Sequence, residues 1–147
     1  MLTFHKARRT NRADLLRLDQ IIFREAAYSV ESWHQELLNP ASHVYLAYEE
    51  NEPVGFISIL LSGGDAEVVK VGVVPSFRRR KVASGLINHA LHALAAERCL
   101  IDVSEKNTAA LLFYQKLRFV DLARRRSYYN DGSDAVVMEL VKVARPQ

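Results

Sequence analysis

The sequence predicts a mixed α/β domain in which an antiparallel meander leads into one parallel strand-helix-strand crossover. Three observations predict it. Val44 to Tyr48 and Val54 to Leu61 are short runs rich in β-branched and aromatic residues, and each is bounded by turn residues. A third run is almost unbroken in its apolar character from Val68 to Val74, stops at Pro75, and passes through Arg78, Arg79, Arg80 and Lys81 into a helical pattern. Leu100 to Val103 is then a short apolar strand, and a strand, helix and strand in that order make a right-handed parallel crossover.

The elements follow in chain order. Leu2 to Arg8 is a short strand, and Thr10 offers an N-cap to a helix carrying Ala13, Leu15, Leu16, Leu18, Ile22 and Phe23 at helical spacing. Ser29 or Ser32 opens a shorter helix through Trp33, Leu37 and Leu38. Asn39-Pro40 stops it, because proline lacks an N–H and pushes the residue before it out of the helical region. The polar turn Glu49 to Pro53 joins the first two meander strands, and Gly63-Gly64 separates the second from the run beginning at Ala66. Ala83, Leu86, Ile87, Ala90, Leu91 and Leu94 share one helical face, with the helix expected to end near Arg98. Asn107 caps a helix with Ala110, Leu111, Phe113, Tyr114 and Leu117. Val120, Leu122 and Arg124 then alternate as a strand, and Asp131-Gly132 turns the chain into a closing strand from Ala135 to Val141.

With 147 residues, 49% of them hydrophobic and 25% charged, the chain is expected to form one domain over residues 1–147 with a proper core, and disorder is excluded. The net charge of +3 is small, so the placement of cations matters more than their total. They cluster at His5 to Arg9, Arg78 to Lys81 and Arg124 to Arg126, without the aromatic interleaving of a single-strand-binding surface. No direct nucleic-acid binding is expected. The single Cys99 rules out an internal disulfide, no leader-like segment stands at the N-terminus, and no apolar run approaches ~18 residues. A cytoplasmic protein, without a membrane span, is expected. His89 and His92 lie three apart on a helix, but no further ligand cluster accompanies them and no metal is expected.

The strand, basic loop and helix around Pro75 form an anion-binding design. Free N–H groups and the positive end of a helix dipole favour phosphate at the start of the helix, and flanking arginines add charge-assisted bonds. The alternative is a solvated basic connection.

Three stretches together resemble the GNAT acyl-CoA N-acetyltransferases, and within them the RimI-like, protein N-terminal branch that includes the ribosomal-protein-alanine enzymes. The first is AEVVKVGVVPSFRRRKVASGLI. The second is Asn107 to Tyr114 followed by Lys116 to Phe119. The third is Arg125 to Tyr129 followed by Asp134 to Met138. The resemblance implies a central, mixed, mostly antiparallel twisted sheet with helices on both faces and a splayed strand pair holding acetyl-CoA. Two departures stand out. Lys81 replaces the first glycine of the pyrophosphate loop: a lysine there keeps the amide geometry if its φ is negative, and its ammonium either adds a phosphate contact or crowds the site. Arg118 replaces a glycine between a helix and the next strand, where a left-handed C′ residue is expected.

By the same resemblance the coenzyme would be held by Val71, Gly72, Val73, Arg78, Arg79, Arg80, Lys81, Val82, Ala83, Ser84 and Asn107. The backbone amides of Val71 to Val73 would polarise the thioester carbonyl, and Tyr114 would protonate the departing sulfur, which a phenol can do because it is protonated at neutral pH. Glu67 and Asp102 are both candidates for the base. Tyr128 and Tyr129 would hold the acceptor backbone, with Trp33 as a wall of its slot. The acceptor read from this branch is a protein N-terminal α-amine, with a ribosomal protein as one partner. A small amine, a lysine side chain or a non-catalytic acyl-CoA-binding domain are the alternatives. A monomer or homodimer is expected.

Overall fold

The computed structural model of the chain describes residues 1–141. Its order is β1 (Leu2–Lys6), α1 (Arg12–Phe23), α2 (Val30–Leu38), β2 (Ser42–Glu49), β3 (Glu52–Ser62) and β4 (Asp65–Val73). Then come α3 (Val82–Ala93), β5 (Arg98–Ser104), α4 (Thr108–Lys116), β6 (Val120–Arg125) and β7 (Ala135–Val141). The strands form one sheet in the order β1-β2-β3-β4-β5-β7-β6, antiparallel everywhere except for the parallel pair β4 and β5. The crossover through α3 produces that one parallel pair, as the sequence predicts.

The sheet buries both faces because its central strands are apolar on alternate residues of each side. On β3, Ile57 joins a cluster with Leu86 and Ile87 of α3, Ile101 of β5 and Met138 of β7, while Phe56 points the other way into a cluster with Leu15 and Leu18 of α1 and Trp33 of α2. Helices therefore cover both faces. Ser29 caps α2, its hydroxyl accepting from the Ser32 amide at 3.0 Å. At α1 a short 3-10 turn, Arg9–Asn11, precedes the helix, so Asn11 rather than Thr10 stands at the N-cap. The third helix ends at Ala93, well before Arg98. Ala95 takes a left-handed φ of 50°, and the Ala95 and Ala96 amides donate back to the His92 and Leu91 carbonyls at 3.1 and 3.0 Å. Among the described residues no helix is long and apolar enough to cross a membrane.

One irregularity in β4 creates the site. Ile59 pairs with Val68 and Ser58 with Lys70, which leaves Val69 as the extra residue of a β-bulge. The pairing of β4 with β5 runs from Asp65–Arg98 to Val68–Ile101 and goes no further. From Lys70 to Val73, β4 keeps β3 on one side and has no strand on the other.

Candidate active site

The gap left where β4 parts from β5 opens into a cavity of about 970 Å³. Its floor is Val71, Gly72 and Val73. Its first wall is the basic turn and the start of α3, through Arg78, Arg79, Lys81, Val82, Ala83 and Ser84, and its second wall is α4, through Ala109, Ala110, Phe113, Tyr114 and Leu117. Ile22 and Phe23 close it from the end of α1.

The α3 wall presents an anion-binding terminus. Lys81 is the N-cap, and the first helical bond runs from the Gly85 amide to the Lys81 carbonyl at 3.0 Å. The amides of Val82, Ala83 and Ser84 precede that bond and stand outside the helix ladder, beside the cationic side chains of the turn. Arg78 also braces the floor, its Nε donating to the Val73 carbonyl at 3.2 Å. Lys81 has φ 63° and ψ 22°, so the condition of a negative φ is not met: the lysine takes the left-handed conformation that glycine would adopt. Arg80 is a correction. It does not line the cavity, because its guanidinium lies over the Phe77 ring, 5.0 Å from the centroid. Asn107 is likewise outside the cavity, its side chain accepting from the Ala110 amide at 3.1 Å as the cap of α4.

On the α4 wall Tyr114 is 5% exposed, with the rings of Phe113 and Phe119 edge-on at 5.0 and 5.3 Å. Burial pushes its phenol well above the usual value, with Cys99 nearby adding to the effect. Among the described residues its hydroxyl has no hydrogen-bond partner. A protonated, uncommitted O–H on a cavity wall, carried by an otherwise buried ring, is equipped to donate a proton. Cys99 is itself buried, and its thiol is pushed up to about 12, which makes it a small core side chain rather than a nucleophile.

The remaining candidates lie on the opposite face of the sheet. Ala66 and Val68 of β4 and Cys99, Ile101 and Val103 of β5 pack on the α3 side, so Glu67 and Asp102 point to the α1 and α2 side. Glu67 is exposed, and Asp102 is ion-paired with Arg125 at 3.3 Å. The β6–β7 connection brings Tyr129 close to Asp102, whose charge, after burial, raises the tyrosine's pKa. Tyr128, 53% exposed, meets the Tyr129 ring edge-on at 5.1 Å. None of these four lines the cavity. Trp33 is a further correction. It is wholly buried in the core beneath α1, with its indole N–H donating to Asp19 at 2.9 Å, and it forms no wall of a slot.

Ile22, Phe23 and the apolar face of α4 are read from the sequence as helix residues but not as site residues. Gly72 holds the clue to the first pair, since a Cβ there would stand 2.7 Å from the Phe23 ring and 2.9 Å from Ile22. The strand approaches α1 as closely as a glycine allows. Among the described residues no three His, Cys, Asp or Glu side chains gather to hold a metal ion.

Residues 11–119 match the model of the Acetyltransferase (GNAT) family. An N-alpha-acetyltransferase of Saccharolobus solfataricus is 26% identical over 110 residues, a match covering 64% of this chain and 66% of the relative. The fold is shared with the ribosomal-protein-S18-alanine N-acetyltransferase of Escherichia coli, at a TM-score of 0.86 and 20% identity over 99% of this chain and 97% of the other. It is also shared with Arabidopsis thaliana NAA60 solved with acetyl-CoA, at a TM-score of 0.82 and 17% identity over 96% and 98% of the two chains.

Proposed function

The chain belongs to the acetyltransferase (GNAT) family, and we propose that it is an acetyl-CoA-dependent N-acetyltransferase whose acceptor is a protein's N-terminal α-amine. The observation that carries this reading is the conjunction, in one cavity, of the free amides at the start of α3 and the uncommitted Tyr114 hydroxyl on α4. The cavity suits acetyl-CoA on its own chemistry: amides and cations at one end match a diphosphate, and an apolar interior of Val71, Val73, Phe113 and Leu117 matches a pantetheine arm.

When bound, acetyl-CoA supplies an activated acetyl thioester. The amides of Val82, Ala83 and Ser84, with Arg78, Arg79 and Lys81, hold the diphosphate. Along the edge of β4 that has no strand partner, the backbone of Val71 to Val73 orients and polarises the carbonyl. Tyr114 keeps a proton on Oη for the departing sulfur. The acceptor amine enters from the α1 and α2 face, where Glu67, Asp102 and the Tyr128-Tyr129 connection stand.

The base available on that face favours the α-amine. Glu67 stands in solvent and Asp102 is held by Arg125, so neither is enclosed against an incoming nitrogen. An acceptor that arrives partly neutral needs the least help. An α-amine is about a tenth to a sixth neutral at pH 7, whereas a lysine is neutral about once in 2,500, a difference of about 3.5 kcal/mol. The N-alpha-acetyltransferase relative agrees in substrate class. The E. coli neighbour acts on a ribosomal protein, which makes a ribosomal-protein N-terminus the first acceptor to assay.

The test is steady-state turnover with acetyl-CoA and matched acceptors: a peptide with a free N-terminus and no lysine, an N-blocked peptide with one lysine, and a polyamine. The free N-terminus is expected to lead in kcat/KM by at least ~10-fold. A lead by the polyamine or the blocked lysine peptide overturns the acceptor reading.

A further inference from the structure

The chain contains a buried ion pair that the cavity itself does not use. Asp19 of α1 is wholly buried, and Lys70 of β4 keeps only 9% of its side chain exposed. The Lys70 ammonium stands 2.7 Å from Asp19 Oδ1, an oxygen on which no N–H or O–H is aligned. Asp19 Oδ2 accepts from the Tyr28 amide at 2.8 Å and from Trp33 Nε1 at 2.9 Å. The ammonium in turn donates to the Ala26 carbonyl at 3.0 Å and lies over the rings of Phe23 and Tyr28, 4.5 and 3.9 Å from their centroids. Every one of these contacts falls on the end of α1, the connection to α2, or the first turns of α2.

Burying two charges is a poor route to net stability, because their desolvation offsets their attraction, and an apolar pair of similar volume often serves as well. The location of this pair explains more than its energy. Lys70 follows the bulged Val69 and directly precedes the cavity floor, and Phe23, under its ammonium, lines the cavity from the other side. The pair therefore joins the splayed half of β4 to the α1–α2 connection, on the face of the sheet that carries Glu67 and Asp102. The connection has no regular ladder of its own: residues 24–26 form a single 3-10 turn, and Arg24 takes a φ of 51°. Its backbone is held from outside, by Lys70 at Ala26 and by Asp19 at Tyr28.

We propose that Asp19 and Lys70 are positioning residues that pin the α1–α2 connection, residues 24–29, against the splayed half of β4, so that the acceptor-facing rim of the cavity is formed before the acceptor arrives. The kinetic consequence rests on the acetyl-transfer reading above; the structural consequence rests on packing alone.

The experiment uses the full chain and the double variant D19N/K70M. It removes both charges together and keeps an oxygen at position 19 to accept from the Tyr28 amide and Trp33 Nε1, whereas Lys70→Met alone would strand a buried carboxylate. Amide hydrogen exchange, acetyl-CoA binding and turnover of a free-N-terminus peptide are measured on both proteins. Exchange across residues 24–29 is expected to accelerate at least ~10-fold in the double variant with β2 unchanged. The peptide's KM is expected to rise at least ~10-fold while the acetyl-CoA Kd stays within about twofold. Unchanged exchange overturns the proposal, as does faster exchange with an unchanged peptide KM. A peptide KM and an acetyl-CoA Kd that rise together also overturn it, and so does a double variant that fails to fold, because the pair is then structural. If the wild type does not acetylate the peptide, the acceptor reading fails separately. The kinetic arm then uses whichever amine the wild type acetylates, and exchange decides the pinning without reference to catalysis.

Discussion

Lys81 and Arg118 share a backbone conformation at the ends of the two helices that wall the cavity, with φ values of 63° and 74°. In both places an L-residue occupies a left-handed position that costs roughly 1 kcal/mol relative to glycine. Their surroundings differ. Lys81 opens α3 and lines the cavity among the free amides of the helix start. Arg118 lies outside the cavity, in the turn that closes α4: its amide donates to the Gln115 carbonyl at 2.9 Å, and the next amide, Phe119, donates to the Tyr114 carbonyl at 3.0 Å. That double closure, with the Phe119 ring against Tyr114, is a Schellman motif. The added side chain lines the cavity in one case. In the other it is exposed, and the turn beneath it seats the residue proposed to donate the proton.

The largest expected effect separates the chemistry of the α4 wall from the binding of the α3 wall. Tyr114→Phe removes the donor and keeps the ring packing, so kcat should fall by at least ~10-fold with the acetyl-CoA Kd nearly unchanged. Unaltered turnover would take Tyr114 out of the reaction. The pH profile of the wild type gives the same residue a second reading. Burial raises the phenol's pKa, so its protonated form persists to higher pH than in a free tyrosine. The rate should climb as the acceptor's α-amine deprotonates near pH 8 and stay level to about pH 10. A falling limb between pH 9 and 10 that Tyr114→Phe abolishes would show an ordinary tyrosine instead. The next effect belongs to the α3 wall. Lys81→Glu places a negative charge beside the diphosphate, and should weaken acetyl-CoA at least ~10-fold, the worth of one charge-assisted bond, while kcat at saturation holds. The matched Arg118→Glu should leave the Kd alone, and calorimetry on the two variants tests the contrast directly.

The two walls also differ in how far they can be read from sequence. The α3 wall was legible because its signals are local: an apolar run, a proline, four cations and a helical period follow one another within one stretch. The six cavity-lining residues between Arg78 and Ser84, all but Arg80, follow from that run, but the left-handed φ of Lys81 does not. Arg80 illustrates the same limit, since only the fold shows that its charge spends itself on Phe77. The α4 wall was legible at Tyr114 and at Arg118 through resemblance. What escaped were contacts between distant segments. Helical spacing marks Trp33, Ile22 and Phe23 alike as apolar; only tertiary packing sends the first into the core and the other two to the cavity. Lys70 interrupts an apolar run in plain view, yet its partner Asp19 lies 51 residues earlier in the chain.

The smallest expected effect tests whether the two left-handed residues are truly distinct. Arg118→Gly relieves the backbone cost at a position whose side chain is exposed, although glycine's greater freedom in the unfolded chain returns part of the gain. A net stabilisation of up to about 1 kcal/mol, or roughly 2–4 °C in Tm, should appear in a thermal melt, with kcat and the acetyl-CoA Kd unchanged. Lys81→Gly should give a similar gain in Tm, because the backbone relief is the same, but it also removes a cation from the diphosphate end and should weaken acetyl-CoA by several-fold. If Arg118→Gly instead lowers kcat, the turn behind Tyr114 contributes to the placement of its hydroxyl, and the two walls are coupled through the backbone rather than separate in function. Equal kinetics in both glycine variants would mean that Lys81 holds no phosphate, and that the amides of α3 bind the diphosphate without it.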